Sequence, residues 1–132
     1  MYILDTNTLI YFFKGIGKVD ETLLSKSPND IYIPSIVLSE LKLGIAKSMH
    51  PAKRTNQLNL LVSHVNINDF GTREAESAAK IRADLERKGL PIGSYDTLIA
   101  GTAMAANAIL VTHNIKEFGR IKALTFEDWY CA

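Results

Sequence analysis

The sequence predicts a three-layer α/β/α sandwich with a mainly parallel central sheet. The main observation is that short apolar runs alternate along the chain with longer segments of helical spacing, which is the pattern of repeated β-α-β units. The second is the absence of any internal repeat, low-complexity tract or linker composition. The third is the length of 132 residues with 47% hydrophobic content, which suits one globular domain over residues 1–132.

Five apolar runs are predicted strands: residues 2–4, 31–33, 65–67, 109–112 and an edge strand at 122–125. Between them lie predicted helices: residues 6–13, 19–26, a helix opened by Ser35 that contains Glu40, 51–63, 72–88, 96–106 and a last helical turn at 126–130. Ser35 and Thr72 are expected to cap their helices, Pro51 to begin one, and Gly89 to stop the most regular one.

The composition limits the classes of function. Net charge is +1, from 15 basic and 14 acidic residues, so the chain is not a general polyanion binder and any basic surface is local. The single cysteine, Cys131, cannot form an internal disulfide, which fits a reducing compartment. No signal-peptide pattern and no membrane-length apolar run is visible, so a cytoplasmic location without membrane association is expected.

Three carboxylates stand where a soluble domain normally places apolar side chains. Asp5 follows the apolar run at residues 2–4, and Glu40 and Asp96 share helix faces with aliphatic neighbours. A buried charge needs a partner or a metal ion. Three such acids far apart in sequence indicate one shared divalent cation.

The predicted topology brings further polar residues to the same edge of the sheet. Asp5 follows the first strand, and Asn114 and Glu117 follow the strand at 109–112. Ligands gather at the carboxyl ends of the strands of open parallel sheets. Mg²⁺ and Mn²⁺ prefer oxygen ligands, and such a metal can activate water and polarise a phosphoryl oxygen. Zinc spacing, a P-loop, a dinucleotide fingerprint and a nucleophile elbow are all missing from the sequence.

Each of these residues also has an ordinary structural interpretation. Asp5 and Asp96 suit helix N-caps, and Glu40 suits an ion pair with a lysine or arginine. Glu117 suits a solvated surface, and Asn114 a turn. Thr6 and Thr112 either orient a carboxylate or water, or act as caps. Two groups of basic residues suit either a phosphate-binding rim or solvated helix faces: Lys42, Lys47, Lys53 and Arg54, and Arg82, Arg87 and Lys88.

The residues resemble the PIN-domain ribonucleases of the VapC toxin type, closest to their plasmid and enteric branch. The similarity covers essentially the whole chain and rests on these motifs: Leu4-Asp5-Thr6-Asn7; Ser39-Glu40-Leu41 with Leu43-Gly44; Arg82, Leu85, Gly89, Pro91-Ile92-Gly93, Asp96 and Ile99-Ala100; Val111-Thr112-His113-Asn114 with Glu117-Phe118 and Arg120; and Glu127-Asp128-Trp129.

The resemblance implies a toxic endoribonuclease that uses Mg²⁺ or Mn²⁺. It implies Asp5, Glu40 and Asp96 as metal ligands and adds Glu117 to the catalytic residues. Many PIN domains carry a fourth acid where this chain has Asn114, so a second metal site is left open. The implied reaction is attack by metal-activated water on RNA, commonly tRNA near the anticodon, which halts translation. The implied partners are a second copy of the chain, a neutralising VapB-type antitoxin, and operator DNA reached only through that antitoxin.

Two other functions compete with this interpretation. One is a structure-specific DNA nuclease of the wider PIN and flap-nuclease group, but those chains carry more acids and extra helical arches. The other is an inert PIN module that only binds RNA or protein. Loss of an acid would mark such a module, whereas Asp5, Glu40 and Asp96 are all present.

Overall fold

The computed structural model describes residues 1–131. The five strands are β1 (Tyr2–Leu4), β2 (Ile31–Pro34), β3 (Asn66–Asn68), β4 (Ile109–Val111) and β5 (Phe126–Glu127). The helices in this part of the chain are α1 (Thr6–Lys14), α2 (Val19–Ser25), α3 (Ser35–Ala46), α4 (Pro51–Val62), α5 (Thr72–Arg87), α6 (Ser94–Ala105) and α7 (Ile115–Phe118), with a 3₁₀ turn at Pro28–Asp30.

The strands form one sheet in the order β3-β2-β1-β4-β5, and every pair is parallel. This confirms the predicted α/β/α sandwich. The central strand β1 pairs Ile3 with Tyr32 on one side and with Leu110 on the other. Because both faces of a parallel sheet are covered, its central strands are apolar throughout, and Ile3, Leu4 and Leu110 are fully buried. The carboxyl ends of β1 and β4 therefore lie side by side.

The C-terminal elements differ from the prediction. The expected edge strand at 122–125 is a turn at residues 122–123 followed by irregular chain, and the expected helical turn at 126–130 contains strand β5. The edge strand is fixed by pairing with β4, which joins Leu110 to Phe126, and by the burial of Trp129. Local propensity carries no information about either contact. Helix α7 was also missed because it is only four residues long.

The predicted helix caps were partly wrong. Ser35 is the first residue of α3 rather than its cap, and its hydroxyl accepts a hydrogen bond from the Phe70 amide at 3.1 Å. Thr72 likewise lies inside α5, whose N-cap is Gly71; the Glu74 carboxylate accepts from the Gly71 amide at 2.8 Å. Helix α6 begins two residues earlier than expected, and β3 one residue later. These shifts of one or two residues leave the order of the core elements unchanged.

Helices α5 and α6 pack closely because a glycine faces an alanine. A Cβ atom built on Gly101 would lie 2.7 Å from the Cβ of Ala78, so the two backbones approach to a distance that only glycine permits. This contact holds α6 in place, and α6 carries Asp96. Within the described residues, no helix combines the length and apolarity needed to cross a membrane.

Candidate active site

Asp5 is placed by the central strand of the sheet. Its amide donates to the Val111 carbonyl at 3.1 Å, which continues the β1–β4 pairing by one residue. Its carboxylate accepts from the Thr8 amide at 2.9 Å and thereby caps α1. The buried Thr112 side chain lies near the same carboxylate and acts to lower its pKa, against the larger effect of burial. The capping interpretation of Asp5 is thus confirmed, and it coexists with a position at the carboxyl edge of the sheet, where the residue is only 4% exposed.

Glu40 lies in the second turn of α3 and is half-buried. The Thr6 hydroxyl donates to Glu40 Oε1 at 2.7 Å, which joins the start of α1 to α3. The alternative of an ion pair is wrong, because none of the ion pairs within residues 1–131 involves Glu40. Its negative charge also acts on Asp5 and Asp96, so the three predicted acids lie in one electrostatic environment.

Asp96 lies in the first turn of α6, three residues after the N-cap Gly93, so the predicted N-cap role is wrong. Its carboxyl group is hydrogen-bonded to Glu117. Burial, this hydrogen bond and the negative charges of Glu117, Asp5 and Glu40 together raise the pKa of Asp96 to about 7. Asp5 and Asp96 therefore resist ionisation in the absence of a cation, and burial raises the pKa of Asp5 as well.

Glu117 is brought to Asp96 by the short helix α7. The Asn114 side-chain amide donates to Glu117 Oε2 at 2.8 Å, and the Asn114 backbone amide donates to the Thr112 hydroxyl at 3.0 Å. The hydrogen bond from Asn114 lowers the pKa of Glu117. The proton shared by the two acids therefore resides on Asp96, which is the more desolvated partner.

Hydrogen bonds and the mutual effect of their charges relate four carboxylates, Asp5, Glu40, Asp96 and Glu117, which we call the acidic centre. Thr6, Thr112 and Asn114 are its hydrogen-bonding supports. Every predicted site residue is thus present at the same edge of the sheet. The link through Asn114 was not foreseen, although the spacing Asn-x-x-Glu is a recognisable helix-start pattern.

The acidic centre has the composition of a site for a hard divalent cation. No ion pair in the described part of the chain involves any of its four carboxylates, so their mutual repulsion is unrelieved by lysine or arginine at contact distance. All of the donors are oxygen atoms, which Mg²⁺ and Mn²⁺ prefer. No three of the four carboxylates within residues 1–131 have ligand atoms all within 4.8 Å of one another. That spacing suits an ion that keeps several waters.

The basic residues at the end of α5 pair with acids of the same helix. Arg82 pairs with Glu86 at 3.3 Å, and Arg87 and Lys88 pair with Asp84 at 3.5 and 2.9 Å. All of these side chains are exposed and lie on their own helix. Such ion pairs add little stability, and the interpretation as a solvated helix face fits them.

An apolar groove runs away from the acidic centre. Its near part, about 340 Å³, has Glu40 in its wall beside Phe13 and Leu41. Its far part, about 600 Å³, shares Phe13 and Gln57 with the near part and includes the exposed side chains of Leu24 and Leu60. We call this surface the apolar groove. An exposed apolar surface of this extent more often marks an interaction site than a surface that stays in contact with solvent.

Comparison with known proteins gives a consistent result. The PIN-domain family matches residues 2–124. The chain is 42% identical to ribonuclease VapC2 of Rickettsia felis over 98% of both chains, and 36% identical to the tRNA(fMet)-specific endonuclease VapC of Salmonella typhimurium over 97% of both.

Solved structures agree with these sequence matches. The structure of VapBC2 from Rickettsia felis bound to a DNA fragment from its promoter matches with a TM-score of 0.90 and 41% identity, over 97% of this chain and 98% of that chain. The DNA-bound VapBC of Salmonella typhimurium matches with a TM-score of 0.90 and 36% identity, over 97% of each. The chain therefore belongs to the PIN-domain family and, within it, to the ribonucleases of the VapC type.

Proposed function

We propose that this protein is the toxin of a toxin–antitoxin module and a Mg²⁺-dependent endoribonuclease that cuts tRNA near the anticodon and thereby stops translation. The observation that carries the proposal is the acidic centre, where four carboxylates converge without a basic partner. The substrate class is supported by the Salmonella relative, which is named a tRNA(fMet)-specific endonuclease. Unpaired anticodon bases are open to sequence reading, unlike bases inside an RNA helix.

Asp5, Glu40 and Asp96 would hold the cation, with Glu117 beside Asp96. Mn²⁺ has the same preference for oxygen ligands and is expected to substitute for Mg²⁺. A divalent cation bound there lowers the pKa of water and neutralises charge on the phosphodiester. Loading it would favour the ionised form of Asp96, because a nearby positive charge lowers the pKa of a carboxyl group.

The chain's own residues position and tune these carboxylates. The Thr112 hydroxyl lies beside Asp5, and the Thr6 hydroxyl holds Glu40 at 2.7 Å. Asn114 fixes Glu117 beside Asp96, and the pair can carry one proton at neutral pH only while the cation is absent. Once the cation holds Asp96 in its ionised form, Glu117 is placed to accept a proton from an attacking water and to return one to the leaving oxygen.

The reaction is a hydrolysis in which water adds to phosphorus and the P–O3′ bond breaks. The leaving O3′ takes up a proton, and the products carry a 5′-phosphate and a 3′-hydroxyl. The ribose 2′-hydroxyl takes no part. A substrate with a single 2′-deoxy nucleotide at the cut site is therefore expected to be cleaved at that bond.

A VapB-type antitoxin is the expected inhibitor. The Rickettsia and Salmonella structural neighbours are VapBC complexes bound to DNA, so operator binding by this protein would proceed through the antitoxin. The apolar groove is a suitable binding site for an amphipathic segment of the antitoxin, and Glu40 in its wall can pair with an arginine of that segment. A homodimer is the expected toxin assembly in such a complex.

The deciding experiment is cleavage of total tRNA by antitoxin-free protein, with mapping of the 5′ ends. Mg²⁺, Mn²⁺ and chelator are compared in parallel for wild type and Asp96→Asn. We expect a discrete cut that requires metal and is lost in Asp96→Asn. Asp69→Asn, which makes the same chemical change at an exposed position outside the acidic centre, is the control and should cut normally.

Two results would contradict the proposal. Wild-type cleavage by Asp96→Asn would disprove the assignment of the acidic centre. If folded, antitoxin-free protein cleaves another RNA but not tRNA, the ribonuclease activity stands and the proposed substrate is wrong.

A further inference from the structure

A second group of metal-binding side chains lies outside the acidic centre. Ligand atoms of His113, Asp128 and Cys131 all lie within 4.8 Å of one another, and no other His, Cys, Asp or Glu group within residues 1–131 is as compact. His113 follows strand β4, and Asp128 and Cys131 follow the neighbouring strand β5. The pairing of these two strands therefore brings the three residues together.

Two of the three side chains are already held in place. His113 Nδ1 and Asp128 Oδ2 are hydrogen-bonded at 2.8 Å. The imidazole ring stacks on Tyr130 with 4.3 Å between ring centroids, and Asp128 Oδ1 accepts from the Tyr130 amide at 2.9 Å. Neighbours that fix the ring and the carboxylate lower the cost of ordering them around an ion.

The backbone that leads to the third side chain is also anchored. Trp129 is buried, and its indole N–H donates to Glu127 Oε1 at 3.0 Å. The Tyr130 carbonyl accepts from the Lys18 amide at 3.0 Å. Cys131 is exposed, so its thiol is free to turn toward the other two ligands. Ligands of a tetrahedral zinc ion lie about 3.4–3.6 Å apart. His113 Nδ1 and Asp128 Oδ2, now 2.8 Å apart, would separate to admit the ion, and the Cys131 thiol lies within 4.8 Å of them.

We propose that His113, Asp128 and Cys131 bind a zinc ion, with water as the fourth ligand. A thiolate and an imidazole favour zinc strongly over Mg²⁺, whereas the all-oxygen acidic centre has no soft ligand and suits Mg²⁺ or Mn²⁺. On binding, the thiol loses its proton to solvent, and the ion displaces the proton shared by His113 and Asp128. The zinc ion and the proposed Mg²⁺ ion would therefore occupy chemically distinct sites at the ends of neighbouring strands.

The test is spectroscopic and does not depend on ribonuclease activity. Metal-free protein, kept reduced, is titrated with Co²⁺ alone and then with Zn²⁺. We expect a thiolate-to-cobalt charge-transfer absorption that saturates at one ion per chain and is removed by Zn²⁺. Asp96→Asn, which alters the acidic centre, and His64→Gln, an exposed histidine elsewhere, should both retain the absorption.

The ligands are tested one at a time. Cys131→Ser should lose the absorption and bind Zn²⁺ at least about tenfold more weakly, and its exposed position leaves folding unaffected. Asp128→Asn keeps an oxygen that can accept from the Tyr130 amide but loses the charged ligand, and it should also bind more weakly. Zn²⁺ should slow the alkylation of Cys131 in wild type, and it should raise the thermal midpoint more in wild type than in Cys131→Ser, which keeps only the acidic centre as a cation site.

Clear outcomes would overturn the proposal. Absence of the cobalt–thiolate absorption in folded, reduced wild-type protein would do so. Unchanged alkylation of Cys131 in saturating Zn²⁺ would do so independently. Zinc affinity that falls in Asp96→Asn but not in Cys131→Ser would assign the bound zinc to the acidic centre instead.

Discussion

At the residue scale, the candidate site is defined by how each carboxylate is supported. Asp5 and Glu40 each have a threonine hydroxyl beside the carboxylate, and Glu117 has the Asn114 amide. Asp96 has another acid instead. This difference in partners explains why the pKa of Asp96 is raised while that of Glu117 is lowered.

The raised pKa of Asp96 predicts how metal-free stability depends on pH. The folded protein keeps a proton on Asp96 up to about pH 7, whereas the unfolded chain releases it near the ordinary value of 3.8. Because the folded state binds more protons in this window, the free energy of unfolding should fall as pH rises from about 4 to about 7. The raised pKa of Asp5 changes the free energy of unfolding in the same direction. The lowered pKa of Glu117 has the opposite effect, and only below its ordinary value of 4.5.

Urea unfolding of chelator-treated protein across this pH range measures the effect. The fall in unfolding free energy should be smaller in Asp96→Asn, because this variant has no proton to lose at position 96. It should also be smaller in wild type with Mg²⁺, because the cation favours the ionised carboxyl group. An identical fall in wild type and Asp96→Asn would assign the pH dependence to other groups.

Thr112 is expected to be a positioning residue for the acidic centre. Thr112→Val keeps the shape of this fully buried side chain but removes the hydroxyl beside Asp5 and leaves the Asn114 amide without its acceptor. The cost should be about 1–3 kcal/mol in unfolding free energy, together with slower RNA cleavage and weaker activation by Mg²⁺.

The matched control is Thr102→Val. Thr102 is also buried, but its hydroxyl donates to the Leu98 carbonyl within α6. This variant should retain the wild-type Mg²⁺ dependence. If both variants lose cleavage in proportion to stability alone, Thr112 has no positioning role.

At the element scale, the site depends on where α6 and α7 are held. Helix α6 packs on α5 through Gly101 and Ala78, and α7 places Glu117 beside Asp96. Neither helix is strongly favoured by its own helix propensity. Helix α7 is only four residues long, and α6 contains the weak helix formers Thr97, Gly101 and Thr102 among its buried residues.

Two glycine substitutions distinguish the effect of close helix packing on stability from the effect of helix propensity. Gly101→Ala places a methyl group 2.7 Å from Ala78 and should destabilise the fold by about 1–3 kcal/mol, with reduced cleavage because α6 carries Asp96. Gly44→Ala in α3 meets no atom within 4 Å and should stabilise by up to about 1 kcal/mol. Thermal and urea unfolding measure the stability of both variants. Equal stability of the two would contradict the close contact between Gly101 and Ala78.

At the scale of the whole molecule, the acidic centre and the apolar groove are adjoining parts of one surface. Glu40 belongs to both, whereas Leu24 and Leu60, which are 77% and 66% exposed, lie in the far part of the groove. An inhibitor that fills the groove can therefore reach the acidic centre. Neutralisation and catalysis should be separable by mutation at the far end.

Leu24→Glu tests this separation. The new charge in the apolar groove should weaken binding of a co-expressed VapB-type antitoxin at least about tenfold while leaving RNA cleavage unchanged. Met49→Glu, at a residue 90% exposed and outside the groove lining, is the control and should bind the antitoxin normally. Unimpaired neutralisation of Leu24→Glu would place the antitoxin on another surface.

The sequence alone determined the fold class, the order of the core elements, and the identity of the acids. Apolar runs alternating with helical spacing predict a covered parallel sheet, and acids on inward faces predict a shared partner. The tertiary structure decided the features that depend on contacts between distant residues. These are strand β5, which forms because Leu110 pairs with Phe126, and the Asp96–Glu117 contact, which joins two helices. The cluster of His113, Asp128 and Cys131 is of the same kind, because the pairing of two strands, rather than any local spacing, brings its members together.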